Sequence, residues 1–135
     1  MFRFYADPAL TTPVSNLPVV SLFDGSAGEP VATVVYFGNP TVGRVLAAEV
    51  DDDIEVMVVD AAAGTGLPAT AVRLALTEAG LSSATPGAVL ALGASLPSGA
   101  AANVEVWLSI DTGAAAVGDY TDLSLVTNSL IETAA

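Results

Sequence analysis

Short runs rich in valine, leucine and aromatic residues recur along the chain, separated by clusters of Gly, Pro, Asn and Asp at roughly ten-residue spacing, the pattern of an all-β sandwich or barrel. The candidate strands are Phe2–Tyr5, Val19–Phe23, Val31–Phe37, Arg44–Val50, Ile54–Asp60, Ala71–Leu76, Ala88–Leu92, Asn103–Asp111 and Tyr120–Thr127. Turn chemistry punctuates them at Asp24-Gly25, Gly38-Asn39-Pro40, Asp51-Asp52-Asp53, Gly64-Thr65-Gly66, Thr85-Pro86-Gly87 and Pro97-Ser98-Gly99. Asn103–Asp111 alternates most clearly: Val104, Val106, Leu108 and Ile110 share one face, and Asn103, Glu105, Trp107, Ser109 and Asp111 the other. Val31–Phe37 is apolar on both faces, as in a central strand covered on each side. One segment competes as a helix: Pro68–Gly80 opens on Pro and closes on Gly, but its polar residues form no stripe, so a strand is preferred. No repeat or linker interrupts the pattern, and a chain of 135 residues fits a single domain, 1–135. Residues 1–18, with Phe2, Phe4 and Tyr5 followed by Pro8, Pro13 and Pro18, can either extend as an N-terminal arm that adds a strand to a neighbour or form a first edge strand and loop.

Composition narrows the chemistry. The chain has 53% hydrophobic and only 13% charged residues, with three Lys plus Arg against 15 Asp plus Glu and a net charge of −12. The cations are Arg3, Arg44 and Arg73; there is no His, no Cys and no Lys. Imidazole and thiolate metal sites, Ser–His and Cys–His pairs, Schiff-base lysines and disulfides are therefore excluded. Three scattered arginines in a −12 field cannot neutralise phosphates, so neither a nucleic acid nor an anionic membrane is expected as a partner. Mean hydropathy is high at +0.65. Yet the longest uncharged stretch, Ala79–Val104, contains Pro86, Pro97 and four glycines, so it makes no spanning helix. The opening Met1-Phe-Arg-Phe-Tyr carries no secretory h-region, so synthesis in a cytoplasm without export is expected. Surplus apolar surface on so small a chain points to an assembly subunit.

Three motifs invite a chemical reading. Val58-Val59-Asp60 followed by Gly64-Thr65-Gly66 resembles the opening motif of S-adenosylmethionine-dependent methyltransferases, but Ala62 replaces the first glycine. The next strand, Val89–Leu92, ends in Gly93-Ala94 without the acidic residue that would hold a ribose. A Gly-rich hairpin between two strands is the simpler assignment. Asp111-Thr112-Gly113 resembles the catalytic triplet of dimeric aspartic proteases, in which two carboxylates share a proton. Only 24 residues follow Asp111, too few for the flap and closing segment of that family, and a turn after a strand is the simpler assignment. Asp51-Asp52-Asp53-Ile54-Glu55 lacks the alternating ligands and the sixth-position Gly of an EF-hand, and reads as a solvated turn, with a weak ion at a subunit junction as the alternative. No catalytic, cofactor-binding or metal residue is expected, and the protein is not expected to be an enzyme.

Two stretches carry a family resemblance. Residues 60–93 (DAAAGTGLPATAVRLALTEAGLSSATPGAVLALG) resemble a segment of small virion structural proteins of tailed bacteriophages. Within residues 103–131, the Trp-bearing NVEVWLSID leads to Gly118-Asp119-Tyr120-Thr121-Asp122, which is similar to the start of the terminal strand in bacterial Ig-like sandwiches. The resemblance implies an Ig-like antiparallel β-sandwich of about eight to nine short strands, with Tyr120 in a tyrosine corner and Trp107 as the large aromatic between the sheets. It further implies a capsid decoration (head cement) protein on the outside of a phage head, made in the host cytoplasm, bound to the major capsid protein and expected as a homo-oligomer, a trimer above a monomer. The alternatives are a tail, baseplate or fibre module of the same fold and a host-surface (carbohydrate) binding domain.

Overall fold

The computed structural model describes residues 1–14, 31–50, 52–60, 69–110 and 123–135. They form an all-β, antiparallel, sandwich-like fold. Among them are ten strands: β1 Arg3–Tyr5, β2 Val31–Gly38, β3 Arg44–Ala48, β4 Ile54–Asp60, β5 Val72–Ala75, β6 Leu90–Gly93, β7 Ser95–Pro97, β8 Val104–Ile110, β9 Leu123–Thr127 and β10 Leu130–Ala134. One layer is the sheet β1-β2-β8-β5. Its centre is the pair β2–β8, whose β-branched and aromatic side chains suit a pleated surface covered by a core. Val35, Val106, Leu108 and Ile110 point from it into the core, each no more than 2% exposed.

The second layer is made of broken strands. The sheets β10-β3-β7 and β6-β4-β9 share three stretches of chain. Residues 44–60 run through the middle as β3 then β4, residues 90–97 flank them as β6 then β7, and residues 123–134 flank the other side as β9 then β10. All three break at one level, and Asn128 sits in the break. Glu55 N–H donates to its Oδ1 at 3.0 Å and its Nδ2 donates to the Asp53 carbonyl at 3.0 Å. Its own N–H donates to the Glu55 carbonyl at 3.2 Å, and Glu49 N–H donates to the Ser129 carbonyl at 2.8 Å. The register shift between Ile54 and Glu55 lies at the same point. Leu46, Ile54, Val56 and Leu96 face the first layer, and the two sets of side chains form one buried cluster.

At one end the layers are joined by polar contacts. Asn39, 1% exposed, follows β2; its Nδ2 donates to Glu132 Oε1 at 3.0 Å, and its Oδ1 accepts the Thr41 N–H at 3.0 Å. Arg44 Nε donates to the same Glu132 oxygen at 3.2 Å. A buried amide must be satisfied, and this network does it where the chain crosses between layers. Residues 1–14 lie on the chain's own body. β1 pairs with β2, Phe4 packs against Phe37 with tilted rings at a centroid distance of 4.9 Å, and residues 6–14 fold back so that Tyr5 bridges Pro13. Over these residues the first edge strand and loop is what forms, and not an extended arm; residues 15–18 lie outside the described residues. Gly38 gives this turn room, because a Cβ on it would come within 2.9 Å of the buried Leu10 Cδ1 and push that side chain aside.

Most expected strands are found near their expected bounds, Ile54–Asp60 with both ends as expected and Ala71–Leu76 as β5, flanked by 3-10 turns at Ala69–Ala71 and Ala79–Ser83. Val19–Phe23 lies outside the described residues. Ser95–Pro97 and Leu130–Ala134 are strands that the hydrophobic pattern alone does not predict. Two expectations are corrected. Trp107 is not the aromatic between the sheets: register places it opposite Val34 and Ala75 on the outer face, because its neighbours Val106 and Leu108 take the core side. The segment after β4 does not connect a hairpin either, since β4 pairs with β6 and β9 while β5 joins β8 in the other layer.

Asn128→Ala is expected to leave the Glu55 N–H and the Asp53 carbonyl without their side-chain partner, at a cost of about 2–4 kcal/mol. Thermal unfolding should show a drop of roughly 5–15 °C, with Ser129→Ala as the near-neutral control. In the N-terminal turn, the Thr11 hydroxyl at 2.7 Å and the Thr12 and Thr11 amides hold the Asp7 carboxyl below its ordinary 3.8. A depressed folded-state pKa makes the turn's stabilisation complete above that value and lost as pH falls through the lower one. The Thr11 and Thr12 amide shifts should therefore titrate with a midpoint below 3.8, and Asp7→Asn should abolish the transition.

Candidate functional site

In a two-layer sandwich each strand turns one set of side chains to the core and the other to the outside. The outward sets differ sharply between the layers. On the first layer the outer face carries Tyr5, Tyr36, Glu105, Trp107, Ser109 and Arg73, which register brings together from β1, β2, β8 and β5. Trp107 Nε1 donates to Glu105 Oε2 at 3.2 Å. That face is mixed in polarity, and Tyr5 and Ser109 on it are buried.

The outer face of the second layer is different. In β4 the inward residues are Ile54, Val56 and Val58, so Glu55, Met57 and Val59 turn outward. Across the ladder, Met57 pairs with Val126, Val59 with Ser124 and Glu55 with Ala91. In the other half, Leu46 and Leu130 face the core, so Val45 and Ala47 turn outward beside Pro97, Ser95, Thr133 and Ile131. Glu55 is the single charged residue in this outward set. Val59 and Ile131 are 40% and 46% exposed. Antiparallel sheets with one solvated face normally alternate apolar-in and polar-out, and this layer is predominantly apolar on both sides, with Ser95, Ser124 and Thr133 as the uncharged polar residues of the outward set. It is the candidate functional surface: among the described residues, a largely apolar face on a chain whose net charge is −12.

The residues singled out for chemistry are dispersed. Asp60 ends β4, opposite Leu123 of β9, and the Gly64-Thr65-Gly66 turn lies outside the described residues. Asp111-Thr112-Gly113, Tyr120 and Asp51 also lie outside them. Asp52 is exposed, and Asp53 gives its backbone carbonyl to Asn128. Among the described residues no group of three or more acidic side chains could hold a metal ion. No helix among them is long and apolar enough to cross a membrane. Sequence reasoning missed Met57, Val59, Val126 and Ile131 as surface residues. The signal was the unbroken apolar run Val56–Val59, which alternation alone cannot divide into an inner and an outer set.

No protein-family model matches this chain, and neither a curated protein nor a solved structure matches it.

Because Val59 and Ile131 already contact solvent, replacing either with Glu should alter unfolding free energy by no more than about 0.5 kcal/mol in chemical denaturation. Val56→Glu, at a position that is 0% exposed, should prevent folding.

Proposed function

We propose that this chain is a structural virion subunit, a capsid decoration (head cement) protein that sits on the outside of a phage head. The observation that carries the reading is the apolar outer face of the second layer, with Met57, Val59, Val126 and Ile131 outward and Glu55 as its one charge. A surface of that kind is stable in water when a partner covers it. The partner in this reading is the major capsid protein, with neighbouring copies of the chain, as a trimer, completing the cover. The net charge of −12 suits the exterior, since an interior protein would face packaged DNA. The mechanism is mass action: a subunit that binds the assembled shell and not its separated parts lowers the free energy of the shell. Made in the host cytoplasm, such a protein needs neither a cofactor nor a metal for this role.

The test is gradient sedimentation of the full-length chain with heads of the phage whose genome encodes it. The wild-type chain is expected to travel with the heads, and the Val59→Glu, Ile131→Glu double variant to bind roughly a hundredfold more weakly because two carboxylates would be buried. A wild-type chain that stays at the top of the gradient, or that travels with isolated tails in place of heads, defeats the reading. So does a double variant that binds as well as the wild type.

A further inference from the structure

The first layer carries a second surface feature that the decoration reading does not use. The 3-10 turn Ala79–Ser83 folds over the outer face of β5 and β8, close enough that a Cβ on Gly80 would come within 3.2 Å of Ala75 Cβ. It buries Leu81 and leaves beside it an open groove of about 310 Å³ lined by Ala32, Arg73, Glu78, Leu81, Ser82 and Ser109. Arg73 and Ser109 are direct cross-strand partners on the floor. Two facts set them apart. Ser109 is 8% exposed, and among the described residues its hydroxyl has no hydrogen-bond partner. Arg73, half-buried, has no ion pair or side-chain hydrogen bond among them either, although the chain has 15 acidic residues and three cations. A buried hydroxyl left without a partner is costly unless something meets it, and the half-buried guanidinium beside it faces an open groove.

From this arrangement we infer that the groove binds an acidic monosaccharide unit, a hydroxylated ring bearing one carboxylate. The floor offers only donors to an anion: the guanidinium fork matches a carboxylate edge to edge, and the Ser109 O–H donates to one of the same oxygens. The rim offers acceptors. Glu78 is a carboxylate, and Ser82, whose O–H already donates to the Ala79 carbonyl at 3.1 Å, has lone pairs free to accept. Donors below and acceptors above fit a carboxylate directed inward and ring hydroxyls directed outward. Leu81 and Ala32 supply apolar contact for the ring's C–H faces, and Trp107 stands next to Ser109's partner strand, opposite Ala75, on the same face. The volume suits one sugar ring. A phosphate, doubly charged in the field of −12, is disfavoured relative to a monoanion. An acidic peptide side chain would leave the Glu78 rim facing no hydroxyl.

The chain's single tryptophan provides the readout. Free glucuronic acid is expected to saturate a change in Trp107 emission, or in the NMR signals of Arg73 Nε and Ser82, with a roughly millimolar dissociation constant. Glucose, which has the ring without the carboxylate, and acetate, which has the carboxylate without the ring, should each bind at least about tenfold more weakly. Arg73→Gln should weaken glucuronate about tenfold or more and Ser109→Ala severalfold, with unfolding midpoints showing that both variants remain folded. Val59→Glu with Ile131→Glu should leave glucuronate binding unchanged, which separates this site from the decoration face. The inference is overturned if neither the emission nor the NMR signals respond to glucuronate. It is equally overturned if acetate or glucose binds as well as glucuronate, or if folded Arg73→Gln binds as tightly as the wild type.

Discussion

The break in the second layer at Asn128 is the constraint on which the architecture rests. Three stretches of chain reach this level together, and two of them, residues 44–60 and 123–134, would have to continue as flat strands of more than ten residues if nothing interrupted them. Sheets twist, and long pairs must bend or break to stay wrapped over a core. One amide side chain replaces the missing ladder bonds at that level, joining the turn before β4 to the turn between β9 and β10. Because the register shift between Ile54 and Glu55 is confined to the break, Leu46 and Leu96 on one side and Ile54 and Val56 on the other still face the same core. The outward residues on both sides stay outward for the same reason.

The two outer faces then express different physics. The first layer spends its few charged and aromatic outward residues on one side of the molecule, where Arg73, Glu105, Tyr36 and Trp107 are gathered. The second layer has almost none left, and its outer face is nearly as apolar as its inner one. A composition that is high in hydrophobic residues averages over this division. Among the described residues the charge is not spread evenly, since the outward set of the second layer contributes only Glu55 to it.

Much of the fold was legible in the sequence where strands are rich in β-branched residues and bounded by turns. Ile54–Asp60 and Asn103–Asp111 are such cases, and the alternation of the latter correctly assigns Val106, Leu108 and Ile110 to the core. Legibility failed where strand formation depends on a partner. Ser95–Pro97 is three residues ending in proline, and it is a strand only because Leu46 and its neighbours pair with it. Leu130–Ala134 has a Glu in the position that faces Leu46, so its pattern does not read as a half-buried strand. Trp107 misled for the opposite reason: its size suggests the core, but its place in the alternation gives the core to smaller aliphatic neighbours. The candidate surface was the least legible part. In β4 four consecutive apolar residues, Val56 to Val59, satisfy either face, and only the pairing of Met57 with Val126 and of Val59 with Ser124 tells which ones look out. The partnership of Arg73 with Ser109 depends likewise on a register between strands more than thirty residues apart.

Glu132 has a consequence beyond its bonds to Asn39 and Arg44. It lies on β10, at the edge of its sheet among the described residues, and it points to the inner side. An edge strand as apolar as LSLVTNSLIETA would otherwise offer a template for another copy to add its own strand, and then another. A carboxylate aimed inward has its counterions only in this chain, and the break at Asn128 shortens the flat edge on the other side. A second copy pairing along this edge would have to accommodate that partly exposed polar junction. A chain with so little surface charge is thereby steered from strand-by-strand polymerisation and left free to associate through its faces.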